Sequence, residues 1–172
     1  MKQNNSDTGE TPDFHSLFEV HGERVYRWVL FLGVDEGSAE EITQEVFITA
    51  MKKQQMPEDE KAQAAWLFQT VRRHVANFRR SAWVRRVFRS DEIAMREASV
   101  SMDEQAETSL VMRQVLSRLP QKWIEVLIMH DLDGYTRDEI STILSIAEGT
   151  VASRLRCARA AFIEKWVEVN DA

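Results

Sequence analysis

One cysteine, Cys157, leaves this chain without a partner for an internal disulfide, so packing alone must hold it together. The four histidines are scattered and show no metal-ligand spacing with that cysteine. HExxH and Glu-x-x-His pairs are both missing, which argues against a zinc or di-iron site and leaves no cofactor expected. Three prolines and six glycines supply little turn chemistry for a sheet, and alternating strand-like runs do not persist. No apolar run approaches the roughly 20 residues needed to cross a membrane, Leu30 to Val34 being the nearest, so membrane insertion is not expected. The first residues, MKQNNSDTGETPD, lack the apolar core of a secretion signal, and a cytoplasmic location is the expectation. Nor does a nucleophile-base constellation appear, so the chain does not read as an enzyme.

What is present is a soluble composition, 44% hydrophobic and 29% charged, with a formal net charge of -6 that conceals a segregation. Residues 1 to 65 carry 6 Lys/Arg against 13 Asp/Glu, whereas Trp66 to Arg89 holds seven arginines (Arg72, Arg73, Arg79, Arg80, Arg85, Arg86, Arg89) and no acid. Such polarity suggests two partners of opposite charge, one for the acidic face and one for the basic stripe.

Helical periodicity organises the rest. Phe14, Leu17, Phe18, His21, Val25, Trp28, Val29 and Leu32 predict a helix from about Asp13 to Leu32 that stops at Gly33. A Ser38/Glu41 capping box predicts a second helix to about Gln55, with Ile42, Val46, Ala50 and Met51 inward and Glu40, Glu41, Gln44, Glu45 and Phe47 elsewhere. Pro57 and the acids after it suit the start of a third, whose stripe is Leu67, Val71, Val75 and Phe78. Weak periodicity over Ser90 to Thr108 reads as an acidic linker. The fold class expected is all-α: a disordered tail (1–12), a helical domain (13–89), a flexible linker (90–108) and a second small helical domain (109–168).

The second domain holds the most specific pattern. Thr136/Glu139 and Ser145/Glu148 each spell a capping box, nine residues apart, which predicts a short helix, a tight turn and a second helix from about Ile146 to Trp166. That is a helix-turn-helix, whose second helix enters the DNA major groove. Val151, Leu155, Ala158 and Phe162 pack; Ser153, Arg154, Arg156 and Arg159 project on other faces as donors to phosphates and guanine edges. From these residues alone, a stand-alone dimeric DNA-binding regulator and a helical adaptor bundle remain alternatives. The first leaves the acidic helix and arginine stripe unexplained, and the second leaves the recognition arginines unexplained.

The ordered segments AEEITQEVF (Ala39 to Phe47), WLFQTVRRHVANFRR (Trp66 to Arg80) and DLDGYTRDEISTILSIAEGTVASRLRCARAAF resemble the extracytoplasmic-function group of sigma-70-type RNA polymerase sigma factors, over Phe14 to Trp166. The resemblance implies a factor that binds core RNA polymerase, reads promoter DNA at the -35 and -10 elements and stabilises the melted strand, with an anti-sigma factor as a further partner. By matching position, Glu40, Glu41, Gln44, Glu45 and Phe47 would dock on the polymerase clamp helices. Arg72, Arg73, Asn77, Arg79 and Arg80 would bind the -10 element, and Arg137, Ser153, Arg154, Arg156 and Arg159 the -35 element. Arg73 stands where the family usually has Asn, Asn77 where it has Asp, and Gln63, Ala64 and Ala65 where aromatics are common, which implies an unusual -10 preference. Ala152 and Cys157 replace frequent cations in the recognition helix; Cys157 itself reads as a small, tolerated helix residue.

Overall fold

The computed structural model describes residues 14–53, 56–88 and 104–170. The tail expected at 1–12, Arg89 and the linker over 90–103 lie outside the described residues, as do the side chains of Arg85 and Arg86. Every element described is helical: α1 (Phe14–Phe31), α2 (Glu36–Met51), α3 (Glu60–Phe88), α4 (Glu104–Ser117), α5 (Gln121–Leu127) running into a π-helical turn (Ile128–Leu132), α6 (Arg137–Leu144) and α7 (Glu148–Asn170). Helix α4 begins inside the stretch read as linker. Helices α1, α2 and α3 pack on one another, and α4, α5 and α6 pack on α7.

Local chemistry sets the ends. After α1, Gly33 takes a left-handed φ of 84°, its N–H bonds Leu30 O, and the Val34 N–H reaches back to Val29 O. This pair of bonds satisfies carbonyls the helix would otherwise leave open. Ser38 and Glu41 do not open α2; Asp35 does, with extended backbone and its Oδ1 accepting from the Ser38 N–H at 3.0 Å. The helix stops at Met51, which is exposed and does not face inward as its spacing predicts. Asp59 opens α3 by accepting from the Ala62 N–H at 2.8 Å.

In the second domain the Thr136/Glu139 box forms in full. The Ser145/Glu148 box does not. Ser145 ends α6 in the left-handed region (φ 54°), with Ile146 N–H bonding Ser141 O, so α7 starts at Glu148 and runs to Asn170. The chain must reverse within three residues there, and Ser145 is used to stop one helix and cannot also cap the next.

The two expected helical domains also touch one another in this structure. Helix α1 packs on α4 and α3 on α6, and one buried apolar cluster runs through both halves. Trp28, 1% exposed, packs edge-on against Phe68 at 5.1 Å and donates from Nε1 to Asp133 Oδ2 at 2.9 Å. Tyr135 Oη donates to Lys61 O at 2.8 Å, and Gln69 donates to Ile143 O. Ion pairs join Lys61 to Glu139 and Arg113 to Glu36, each at 2.6 Å. Burying the polar atoms of Trp28, Asp133 and Tyr135 is tolerable because each finds a partner across the seam.

Candidate nucleic-acid and partner surfaces

Along α2, Glu40, Glu41, Gln44 and Glu45 are exposed and form one acidic face. Phe47 is not part of it. At 1% exposure it lies under Phe18 (ring centroids 4.9 Å) and Phe14 (6.2 Å), while Phe14 and Phe18 are 40% and 45% exposed. The aromatic surface beside the acidic helix therefore belongs to α1, joined by exposed Ile48 and Met51. Spacing could not separate these phenylalanines from the core, because Phe14 and Phe18 continue the inward stripe of Leu17, Val25 and Trp28.

Between α2 and α3 opens a groove of about 740 Å³, lined by Glu41, Glu45, Thr49, Lys52, His74 and Asn77 among others. At its rim His74 Nδ1 sits 3.0 Å from Glu45 Oε2, and His74 Nε2 sits 3.1 Å from Thr49 Oγ1. The Thr49 hydroxyl also donates to Glu45 O at 2.8 Å.

The α3 arginines divide by helical phase. Arg73, Asn77 and Arg80 recur at four- and three-residue spacing and are exposed on one face. Arg72 and Arg79 turn towards other elements. Arg72 Nε lies 3.0 Å from buried Glu125 Oε1 on α5, as a charge contact poorly aligned for a hydrogen bond. Arg79 donates to Leu32 O at the end of α1 and to Gln121 Oε1 at 2.5 Å, and burial holds it below its ordinary pKa. Five residues expected on one nucleic-acid surface are thus three on a free face and two in the seam between domains.

Arg137, Ala152, Arg156 and Arg159 come together around a groove of about 490 Å³ with His130 and Leu155. Arg156 is exposed. Arg137 Nε lies 3.4 Å from Glu148, and Arg159 is held by both oxygens of Asp131, its Nε at 3.0 Å from Oδ2. The Arg159 hydrogen bond is the main reason the Asp131 carboxyl titrates below its usual range, and the same contact raises Arg159. Ser153 donates to Thr150 O at 3.0 Å and Arg154 is half-buried, so neither joins the groove. Cationic donors rimming a concavity between two helices suit phosphates and base edges. Among the described residues no cluster of His, Cys, Asp and Glu could hold a metal ion, and no helix is long and apolar enough to cross a membrane.

Comparison with known proteins covers both domains. Residues 17–85 match the family model for Sigma-70 region 2, and residues 109–162 that for Sigma-70, region 4. ECF RNA polymerase sigma factor SigL of Mycobacterium tuberculosis is 32% identical over 146 residues, 83% of this chain and 82% of its own length. SigX of Bacillus subtilis is 25% identical over 147 residues, 80% of this chain and 75% of its own. Among solved structures, the sigma factor RpoE in complex with the anti-sigma factor NepR, from Bartonella quintana, aligns with a TM-score of 0.65 at 21% identity, covering 93% of this chain and 98% of that one. CnrH in complex with the cytosolic domain of CnrY aligns with a TM-score of 0.62 at 18% identity, over 91% and 88%. Both share the helical fold seen here.

Proposed function

The chain belongs to the ECF sigma factors of the sigma-70 family, non-enzymatic proteins that bind core RNA polymerase and direct promoter recognition, and on that premise we propose how its surfaces divide the work. The acidic face of α2, with Glu40, Glu41, Gln44 and Glu45, docks on the polymerase, while Phe14 and Phe18 supply the apolar part of the contact and Phe47 supports them from below. Complementary charge of this kind steers encounter more than it sets affinity. The free α3 face of Arg73, Asn77 and Arg80 takes the -10 element, where cationic side chains hold phosphates and unpaired bases. The groove of Arg137, Arg156 and Arg159 takes the -35 element, with DNA phosphate displacing Asp131 from Arg159. Ser153 and Arg154 border that contact. The protein acts in the cytoplasm, and an anti-sigma factor is its regulatory partner.

One observation carries this reading: acidic, mixed and basic surfaces occur in the order and on the helices that a bipartite promoter reader needs. Arg72 and Arg79 join the -10 surface only after the domains part. Distance requires parting too. Elements about 25 base pairs apart lie roughly 85 Å apart along a duplex rising 3.4 Å per pair, and a docked chain of this length is only about 40 Å across. The fifteen residues 89–103 reach about 50 Å when extended, enough to let both domains engage. Strand separation then draws its free energy from contacts to unpaired bases and phosphates. The test is in vitro transcription: purified chain with core polymerase starts RNA at discrete promoters in a genomic library, and failure at every promoter rejects the reading.

A further inference from the structure

We propose that His74 is a positioning residue for polymerase docking, holding the Glu45 carboxylate in place by bridging it to Thr49. The inference rests on the reading of Glu45 as a docking residue and extends it to a side chain on another helix. Glu45 is a long side chain, about half exposed at the rim of the α2–α3 groove, and left alone it would sample many rotamers. His74 limits that freedom. Its ring is mostly covered (22% exposed), with Nδ1 on Glu45 Oε2 at 3.0 Å and Nε2 on Thr49 Oγ1 at 3.1 Å.

The carboxylate can only accept, so Nδ1 donates to Glu45 while Nε2 faces the Thr49 hydroxyl, which also lies 2.8 Å from Glu45 O. Thr49 and Glu45 are one turn apart on α2, so the ring sits between two fixed points of the docking helix. Among the described residues, only one of the two Glu45 oxygens is taken. Oε1 is left to meet a cationic group on the partner, with the carboxylate already oriented. His74 also lies beside Arg73 and one turn from Asn77 and Phe78, which ties the docking helix to the promoter-facing helix through one side chain. Lys52 and Glu41 line the same groove, but neither forms an ion pair with His74 or Glu45 among the described residues.

Immobilising a side chain before binding is worth about a threefold to tenfold gain in affinity. The experiment is a double-mutant cycle on the full chain, titrated with core RNA polymerase. Variants Glu45→Ala, His74→Ala, His74→Gln and the double alanine are compared, with folding checked by circular dichroism and -35 duplex binding as a control. The expected result is a loss of about threefold to tenfold for His74→Ala, no further loss when it is added to Glu45→Ala, and recovery in His74→Gln, whose amide can still donate to the carboxylate. The -35 affinity should not move. If Glu45→Ala weakens docking and His74→Ala does not, or if the two losses multiply, the positioning role is overturned and the docking role of Glu45 stands. If Glu45→Ala leaves docking unchanged, both fall.

Discussion

Replacing Asp133 by alanine should undock the two domains without unfolding either. The substitution removes the acceptor for Trp28 Nε1, whose ring is 1% exposed, and leaves that N–H without its partner across the seam. A hydrogen bond to a charged acceptor is worth about 1.5–3 kcal/mol, and an orphaned buried donor costs a similar amount. The docked-to-undocked ratio should therefore fall about 10- to 100-fold. Asparagine separates hydrogen bonding from charge. Burial is the main influence on Asp133 and pushes its carboxyl above the ordinary range, because the Arg24 guanidinium, 3.9 Å away, compensates only in part. An amide oxygen at that position can still accept from Trp28 without an ion to desolvate, so Asp133→Asn should dock as well as the parent or better. The same sign governs pH. A carboxyl whose docked value is raised binds its proton more tightly when docked, so docking strengthens as pH falls from neutrality through that raised value. The exposed Lys61–Glu139 pair runs the other way, so the effect is read as the difference between the parent and Asp133→Asn, which share that pair. Energy transfer between dyes on Cys157, the one exposed cysteine, and a cysteine placed at exposed Ser16 reports docking directly. Equal transfer in the parent and Asp133→Ala, with both folded, would refute the argument. If Asp133→Asn opened the chain as far as alanine, the ion pair with Arg24 would be the true fastening.

Other surfaces give independent outcomes. Arg156→Ala should weaken binding to a -35 duplex by about 1–3 kcal/mol, with discrimination lost at one base position; uniform loss across sequences would mark it as a phosphate contact only. Asp131→Asn, by loosening Arg159, should raise -35 affinity in a filter-binding or anisotropy assay, and unchanged affinity would show that Arg159 does not reach DNA. The depressed Asp131 carboxyl stabilises the second domain at neutral pH, and that contribution should vanish as pH falls through its lowered value; an acid-unfolding curve of Asp131→Asn should lack this component. Ser145→Gly should stabilise the second domain by up to about 1 kcal/mol in urea, since glycine reaches a φ of 54° without strain, and a loss of stability would contradict the cap assignment.

The helical stripes were legible because one face of each helix must be buried: Val25, Trp28 and Val29, or Val151, Leu155 and Ala158, keep the 3.6-residue period and are all core. Caps were less so. Ser38/Glu41 and Ser145/Glu148 have the same letters as Thr136/Glu139, but capping depends on the backbone entering the helix, and there Asp35 lies better placed while Ser145 is already closing α6. Arg72 and Arg73 are identical in chemistry and neighbours in sequence, yet one faces Glu125 and the other solvent; only the placement of α5 decides between them. The seam was the least legible feature. Trp28 and Asp133 stand 105 residues apart, and no local period announces that they meet.

The π-helical turn at Ile128–Leu132 sets the phase between two such meetings. Glu125, before it, is aimed at α3, and Asp133, after it, is aimed at α1. A π turn accommodates one residue more than an α turn, so it works as an inserted tooth in a gear train. Removing a single residue from it would rotate everything downstream by about 100°, carrying Asp133 away from Trp28 while leaving both side chains intact. The second domain would keep its residues and lose its bearing on the first, which places the timing of the whole assembly in the spacing of five residues.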